Sequence, residues 1–257
     1  MPDTDPHHRA ARRSLEIIEA VATDGGGLTL SELARRVQLP KSTAHTLIQT
    51  LAADGFLERE TQGGHYVLGP RMLRMLGRLP DQFELPRVAR PIMEALVDQV
   101  GETAILGVRS GASIIYVEQV EPPQYIRYAA SLGEARPLYS SSIGKLFIAA
   151  MPPAALNDLL DESPPRPFTE ATKTLADEIV AEGREIAAQG YALNRGETID
   201  GVVAIAAPIY RGDDPQATLL AGLSVAGPTD RLSRRLEELC PLVIQTAKQI
   251  GLTLKPR

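Results

Sequence analysis

One run constrains the fold of this chain more than any other: LTLSELARRVQLPKSTAHTLIQTLAADG, bounded by Gly27 and Gly55. Thr29-Leu30-Ser31-Glu32 has the form of a capping box, in which the threonine hydroxyl accepts from the backbone N–H three residues on and the glutamate reaches back. It opens a short helix over residues 30–37. Gln38-Leu39-Pro40 makes a turn, and a second helix runs over residues 41–54 until Gly55 stops it at the C′ position. Upstream, residues 11–22 read as an amphipathic helix with Leu15, Ile18, Val21 and Ala22 on the buried side, broken by Gly25-Gly26-Gly27. Downstream, residues 56–59 and 65–68 read as strands joined by a turn at Gln62-Gly63-Gly64. Helix, helix, turn, helix and hairpin is the order of a winged helix-turn-helix, placed at residues 8–69.

The helix after the turn has one face spoken for. Ala44, Leu47, Ile48 and Leu51 fall at i, i+3, i+4 and i+7 and must face the core. The opposite face presents Ser42, Thr43, Thr46, Gln49 and Ala53, with Lys41 at the N-terminal end and His45 on the flank. Hydroxyl and amide side chains suit base edges in the major groove, and Gln49 suits adenine. Lys41 and the helix N-terminus suit a phosphate. Arg59 at the base of the Gly-Gly turn adds a cation beside that face. The bland alternative is a solvated helix surface; the helix-turn-helix order favours double-stranded DNA.

Whole-chain charge obscures this reading. The 257 residues carry 27 Lys and Arg against 32 Asp and Glu, a formal net charge of -5. Residues 1–79 hold ten basic and nine acidic groups, and the remainder holds 17 and 23, so the nets are +1 and -6. A near-neutral module is thus joined to an acidic one. The break lies between Gly69 and Pro86, with a linker helix over residues 70–85 whose Arg71, Arg74 and Arg78 flank one side.

Counts of two residue types exclude several chemistries. Cys240 is the single cysteine, so no intrachain disulfide or thiolate metal cluster forms, which fits a reducing cytoplasm. His7, His8, His45 and His65 are the only histidines, so residues 66–257 supply neither a Ser-His-Asp triad nor a histidine zinc site. The opening MPDTDPHHRAARR has no apolar run of the kind a signal peptide needs. The longest mainly apolar stretch, residues 201–210, is far below the ~20 residues of a spanning helix. A cytoplasmic protein without membrane segment, metal or cofactor is expected.

From residue 86 onward the pattern becomes α+β. Helices are expected over residues 91–100, 141–150, 175–189 and 229–250. Strands are expected over residues 103–109, 114–120, 125–130, 191–197, 202–210 and 218–225. Hairpin-linked strands flanked by helices imply an antiparallel sheet. Ser142-Ile143-Gly144-Lys145 fits S-x-x-K, the nucleophile motif of penicillin-binding proteins and serine β-lactamases, with Ser142 and Lys145 on one helical turn. No S-x-N or K-T-G accompanies it, so a Ser-Lys hydrolase is the lesser alternative. Ser140, Ser141 and Ser142 at a helix N-terminus attract an anion, and Arg136, Arg127 and Tyr128 lie just upstream. That set suits a small organic acid or a phenolic metabolite.

Over nearly its whole length the chain resembles the IclR family of bacterial transcriptional regulators. LTLSELARRVQLPKSTAHTLIQTLAADGFLERE followed by YVLG is similar to that family's winged helix-turn-helix. PLYSSSIGKLFIAA, GYALNRGETIDGVVAIAAPIY and LSVAGP are similar to landmarks of its GAF-like effector-binding domain, here residues 86–257. The resemblance implies homodimers or dimers of dimers on palindromic operators, with a small-molecule effector altering transcription. It places effector contacts at Tyr128, Arg136, Ser142, Ile143, Asn194, Glu197, Val202, Ala204 and Ser224. Two departures stand out. An arginine common in the family's recognition helix is replaced by Thr46, and bulky Ile143, where the family has a small residue, is expected to trim the cavity. The zinc of some members finds no His or Cys cluster in the second domain.

Overall fold

The computed structural model describes residues 6–61, 63–76, 84–212 and 218–254, in two compact units, Met1–Gln82 and Phe83–Arg257. The first unit runs α1 (Pro6–Asp24), α2 (Leu30–Arg36), α3 (Lys41–Ala53), β1 (Leu57–Arg59), β2 (Tyr66–Leu68) and α4 (Pro70–Leu76). The capping box is formed: the Thr29 N–H donates to Glu32 Oε2 at 2.8 Å and the Glu32 N–H to Thr29 Oγ1 at 3.3 Å. The strands pair antiparallel, Leu57 opposite Leu68 and Arg59 opposite Tyr66. Ile17, Leu33, Ala44, Ile48, Leu51 and Leu57 fill the core. On α1 the buried face matches the expected one only in part. Val21 is buried and Ile18 packs against the core as expected, but Leu15 is 61% exposed and Ala22 is exposed, and Ile17 and Ala20 are buried in their place. Two interleaved stripes satisfy the same helical period there, and the one containing small Ala20 packs against α3 and β2. Gln62 and Arg78, assigned to the turn and the linker, lie outside the described residues.

The turn between α2 and α3 is closed by backbone hydrogen bonds, with Arg13 adding one to Val37 O at 3.2 Å. The Gln38 N–H donates to Arg35 O at 3.2 Å and the Leu39 N–H to Ala34 O at 2.9 Å, the two bonds of a Schellman motif. Its left-handed position is Gln38, at φ 52°, the one described non-glycine residue with positive φ.

The second unit contains α5 (Glu84–Val100), β3 (Thr103–Ser110), β4 (Ser113–Val120), β5 (Ala135–Pro137), α6 (Ser142–Ala149), α7 (Pro153–Glu162), α8 (Ala176–Gln189), β6 (Ala192–Arg195), β7 (Val202–Tyr210), β8 (Leu219–Pro228), α9 (Thr229–Leu232) and α10 (Leu236–Thr253). All pairings in its six-stranded sheet are antiparallel, in the order β5-β4-β3-β8-β7-β6. Both faces are covered, so β7 and β8 read as nearly continuous apolar runs. Strand alternation sorts them. Val203, Ile205, Ala207, Ile209, Ala221, Leu223 and Val225 face α5 and α10, while Ala204, Ala206 and Ala226 face α6, α7 and α8.

Several expectations need correction. Residues 125–130 form no strand. Their backbone is held by side chains instead, with Thr103 Oγ1 donating to Tyr128 O at 2.5 Å, Arg231 to Ile126 O at 2.9 Å and the Ala130 N–H to Gln119 Oε1 at 2.8 Å. The edge position belongs to β5. Helix α5 starts seven residues before Pro91, because the stripe Leu85, Ala89, Met93 and Leu96 runs through it, and its burial outweighs the backbone bond that proline forfeits. Helix α7, over Pro153–Glu162, is an addition, and the last expected helix is interrupted by a 3-10 turn at Ser233–Arg235.

Gln38→Gly relieves a left-handed conformation costing roughly 1–2 kcal/mol for a residue with a Cβ. The melting transition of the first unit is expected to rise by several degrees in calorimetry, about 4–8 °C per kcal/mol for a domain this size.

Candidate functional site

Two surfaces hold the residues singled out by sequence. In the first unit, burial of Ala44, Ile48 and Leu51 turns Lys41, Ser42, Thr43, His45, Thr46 and Gln49 outward, and all six are exposed. The N-cap of α3 is Pro40, which makes no side-chain cap, so first-turn N–H groups remain open to an anion. Thr46 Oγ1 donates back to Ser42 O at 3.1 Å. Gln49 Nε2 donates to the Tyr66 hydroxyl at 3.3 Å, and the Arg59 guanidinium sits 5.9 Å from the centroid of the Tyr66 ring. The side chain of Tyr66, which sequence reasoning passed over, therefore joins the helix to the hairpin. Its signal was an aromatic residue at the start of the second strand, but only the packed hairpin aims its hydroxyl at Gln49.

In the second unit a cavity opens at the end of the sheet where α6 begins. Ile105, Tyr116, Tyr128, Ser141, Ser142, Asn194, Thr198, Ile199, Val202, Ala204, Ser224 and Ala226 line it, and its free space is about 30 Å³, room for one or two waters. Tyr128, Ser142, Asn194, Val202, Ala204 and Ser224 are thus brought together. Tyr116, Thr198 and Ile199 are additions. Tyr116 follows from alternation along β4, whereas the other two sit on a turn with no periodicity to read.

The hydroxyls are largely committed. Ser141 caps α6, accepting from the Gly144 N–H at 3.1 Å and donating to Pro137 O at 2.9 Å. Ser142 Oγ pairs with Ser224 Oγ at 3.0 Å. The Asn194 amide donates to Ser140 O and to Thr198 Oγ1 and accepts from the Glu197 N–H. Ser140 Oγ is buried without a partner. Burial pushes the Tyr116 and Tyr128 phenols up, so both stay neutral near pH 7, and Arg136 opposes that rise in each.

Four expected contacts do not line the cavity. Arg127 is on the exposed loop rather than a strand, bonded to Glu121 and to Gln124 O. Arg136, on edge strand β5, pairs with Glu134 at 3.0 Å and keeps a buried, unpartnered Nε. Ile143 points onto the sheet rather than into the void. A Cβ on Gly107 or Gly222 would fall 3.0 Å or 2.7 Å from its side chain, so these glycines form the slot that holds it. Ile143 therefore does not trim the cavity. Glu197 is turned into the protein, bonded to Lys145.

That last contact also undoes the S-x-x-K reading. Lys145 Nζ spends its three hydrogens on Glu197 Oε1 at 2.5 Å, Glu182 Oε1 at 2.9 Å and Leu193 O at 3.0 Å, while Ser142 bonds to Ser224. The serine has no base. The glycine between them has a packing reason, because a Cβ at Gly144 would lie 2.3 Å from Leu138 O.

Comparison with known proteins covers both units. The family model for the IclR helix-turn-helix domain matches residues 10–61, and that for the bacterial transcriptional regulator IclR C-terminal matches residues 79–252. The chain belongs to the IclR family. It is 35% identical to the HTH-type transcriptional regulator BhcR of Paracoccus denitrificans over 250 residues, 97% of this chain and 88% of that protein. To the transcriptional repressor IclR of Escherichia coli it is 28% identical, covering 93% of this chain and 88% of the repressor. The crystal structure of an IclR homolog from Microbacterium hydrocarbonoxydans, complexed with 4-hydroxybenzoate, matches with a TM-score of 0.82 and 25% identity over 95% of this chain and 98% of that one. An IclR-family chain is a transcriptional regulator, not an enzyme. No described helix is long and apolar enough to cross a membrane.

Gly144→Ala should force α6 off the chain at Leu138. An overpacked core position of this kind costs about 1–3 kcal/mol, and denaturant unfolding of the second unit should show a midpoint lowered accordingly.

Proposed function

We propose that residues 8–69 read a palindromic operator in double-stranded DNA and that residues 86–257 bind a small-molecule effector that alters the affinity of that reading, with residues 70–85 as the linker. The carrying observation is the exposed polar face of α3. Lys41 and the uncapped helix N-terminus offer a phosphate site, and Ser42, Thr43, His45, Thr46 and Gln49 face outward for base edges. Arg59 stands at the hairpin. Gln49 reads adenine with both amide atoms, which requires it to leave the Tyr66 hydroxyl.

For the effector, the cavity favours a small organic acid, phenolic or otherwise. Two neutral phenols, paired serine hydroxyls and the free Nε of Arg136 beside them suit a carboxylate on a compact body. The relative bound to 4-hydroxybenzoate supports the phenolic form. With only about 30 Å³ free, an aromatic acid enters when the Tyr128 loop or the Thr198-Ile199 turn moves outward, and such movement is the means of signalling. Symmetric operators call for a homodimer or a dimer of dimers, acting in the cytoplasm without metal or cofactor.

Mobility-shift titrations on DNA flanking the gene test the first half. Lys41→Ala should weaken all sequences nearly equally and flatten the salt dependence by roughly one unit of slope. Gln49→Ala should instead relax preference at one base position, at about 1–3 kcal/mol there; uniform weakening would mean that Gln49 reads no base. Arg136→Ala should leave ligand-free DNA binding intact and abolish the response to 4-hydroxybenzoate or a related acid. An unchanged response would remove the arginine from the site.

A further inference from the structure

The buried lysine of the S-x-x-K motif has no part in reading DNA and does not line the cavity. We propose that Lys145 is a positioning residue of the effector pocket, latching the turn between β6 and β7 to the first turn of α6 so that Asn194, Thr198 and Ile199 form one wall. The proposal rests on the effector reading of that cavity.

Lys145 is 2% exposed, and its ammonium grips this segment twice, at Leu193 O on β6 and at Glu197 Oε1 on the turn that follows. From Glu197 the order passes to the wall. Its backbone N–H donates to Asn194 Oδ1 at 3.0 Å, which fixes which way the amide faces. The amide nitrogen then donates to Ser140 O and to Thr198 Oγ1, and Thr198 Oγ1 itself donates to Ser140 O at 2.6 Å. Thr169 and Thr172 hold the outer side of the turn by hydrogen bonds to Gly196 O and Glu197 O. Removing the lysine therefore releases the inner anchor while the outer one remains.

A buried ion pair is a poor device for stability alone, because apolar side chains of similar volume often do as well or better. Here the arrangement is visibly imperfect for that purpose, since Glu197 Oε2 is buried without a partner. Charge balance is nevertheless kept, with Glu182 bonded both to Lys145 and to Lys173 at 2.7 Å. What the lysine supplies that an apolar residue cannot is direction: three donors that fix the position of a carbonyl and two carboxylates on different elements.

The test compares full-length wild type with Lys145→Met/Glu197→Met, which removes both buried charges together, by hydrogen–deuterium exchange and thermal melting. Lys145→Met alone serves as the uncompensated control and is expected to melt lower. In the double variant the expected result is a melting temperature close to wild type. Amides of residues 194–199 should exchange at least tenfold faster, with β7 and β8 protected as before. Wild-type protection of the turn would overturn the proposal. So would loss of protection across the whole sheet, or failure of the double variant to fold, since either makes the pair structural. Calorimetric titration with 4-hydroxybenzoate adds a second readout. Where wild type binds it, the double variant should bind about tenfold more weakly, and an equal affinity overturns the positioning role. Absence of binding to wild type counts against the phenolic-acid reading and leaves the exchange result to decide on Lys145.

Discussion

The second unit depends on how closely α6 can approach the sheet. Gly107, Gly222, Ala204, Ala206, Ser224 and Ala226 leave one face of β3, β7 and β8 nearly flat, and Ile143 drops into the slot between the two glycines. The opposite face carries Val203, Ile205, Leu223 and Val225 and packs conventionally against α5 and α10. At the helix N-terminus the same face is bordered by Ile105, Tyr116, Tyr128 and Ile199 as well as by Ala204, Ser224 and Ala226, and a cavity of about 30 Å³ remains among them. A bulkier residue at one of the small positions would fill the pocket or lift the helix.

The polar groups around the cavity follow from that approach. Once α6 is seated, its first turn lies beside Ser224 and the β6–β7 turn, and buried polar groups there must find partners. They do so with one another: Ser142 with Ser224, Asn194 with Ser140 and Thr198, Lys145 with Glu182, Glu197 and a backbone carbonyl. Those left over among the described residues are Ser140 Oγ, Glu197 Oε2 and Arg136 Nε, and the arginine acts on the two phenols that line the cavity. In the first unit the same logic is simpler. Burying one stripe of α3 leaves the other outward, where Thr46 bonds back to Ser42 O and Gln49 reaches the Tyr66 hydroxyl.

Legibility in the sequence tracked the locality of the cause. The capping box, the end of α8 at Gln189 and strand β7 were readable because each is decided by a few neighbouring residues. Residues 125–130 are expected as a strand, yet Thr103, Gln119 and Arg231, distant in sequence, hold them as a loop. Helix α5 likewise runs through Pro91 because a tertiary stripe outweighs a local breaker. Of the cavity wall, Tyr128, Ser142, Asn194, Val202, Ala204 and Ser224 were named from the sequence, whereas Thr198 and Ile199 sit on a turn with no periodicity to read.

By itself the sequence determined the type of each unit: helical spacing and turn chemistry specified a helix-turn-helix with hairpin, and hairpin-linked apolar runs flanked by helices specified an antiparallel sheet. It also determined which face of α3 is free, since a buried stripe leaves no choice. Only the tertiary structure decided what the charged and bulky residues near the pocket do. Lys145 turned out to be saturated by carboxylates rather than poised beside Ser142, Ile143 faces the sheet rather than the void, and Arg127 serves a surface loop. The reason is physical. A side chain's direction and partners depend on elements tens of residues away, whereas its place on a helix or strand depends on the next few.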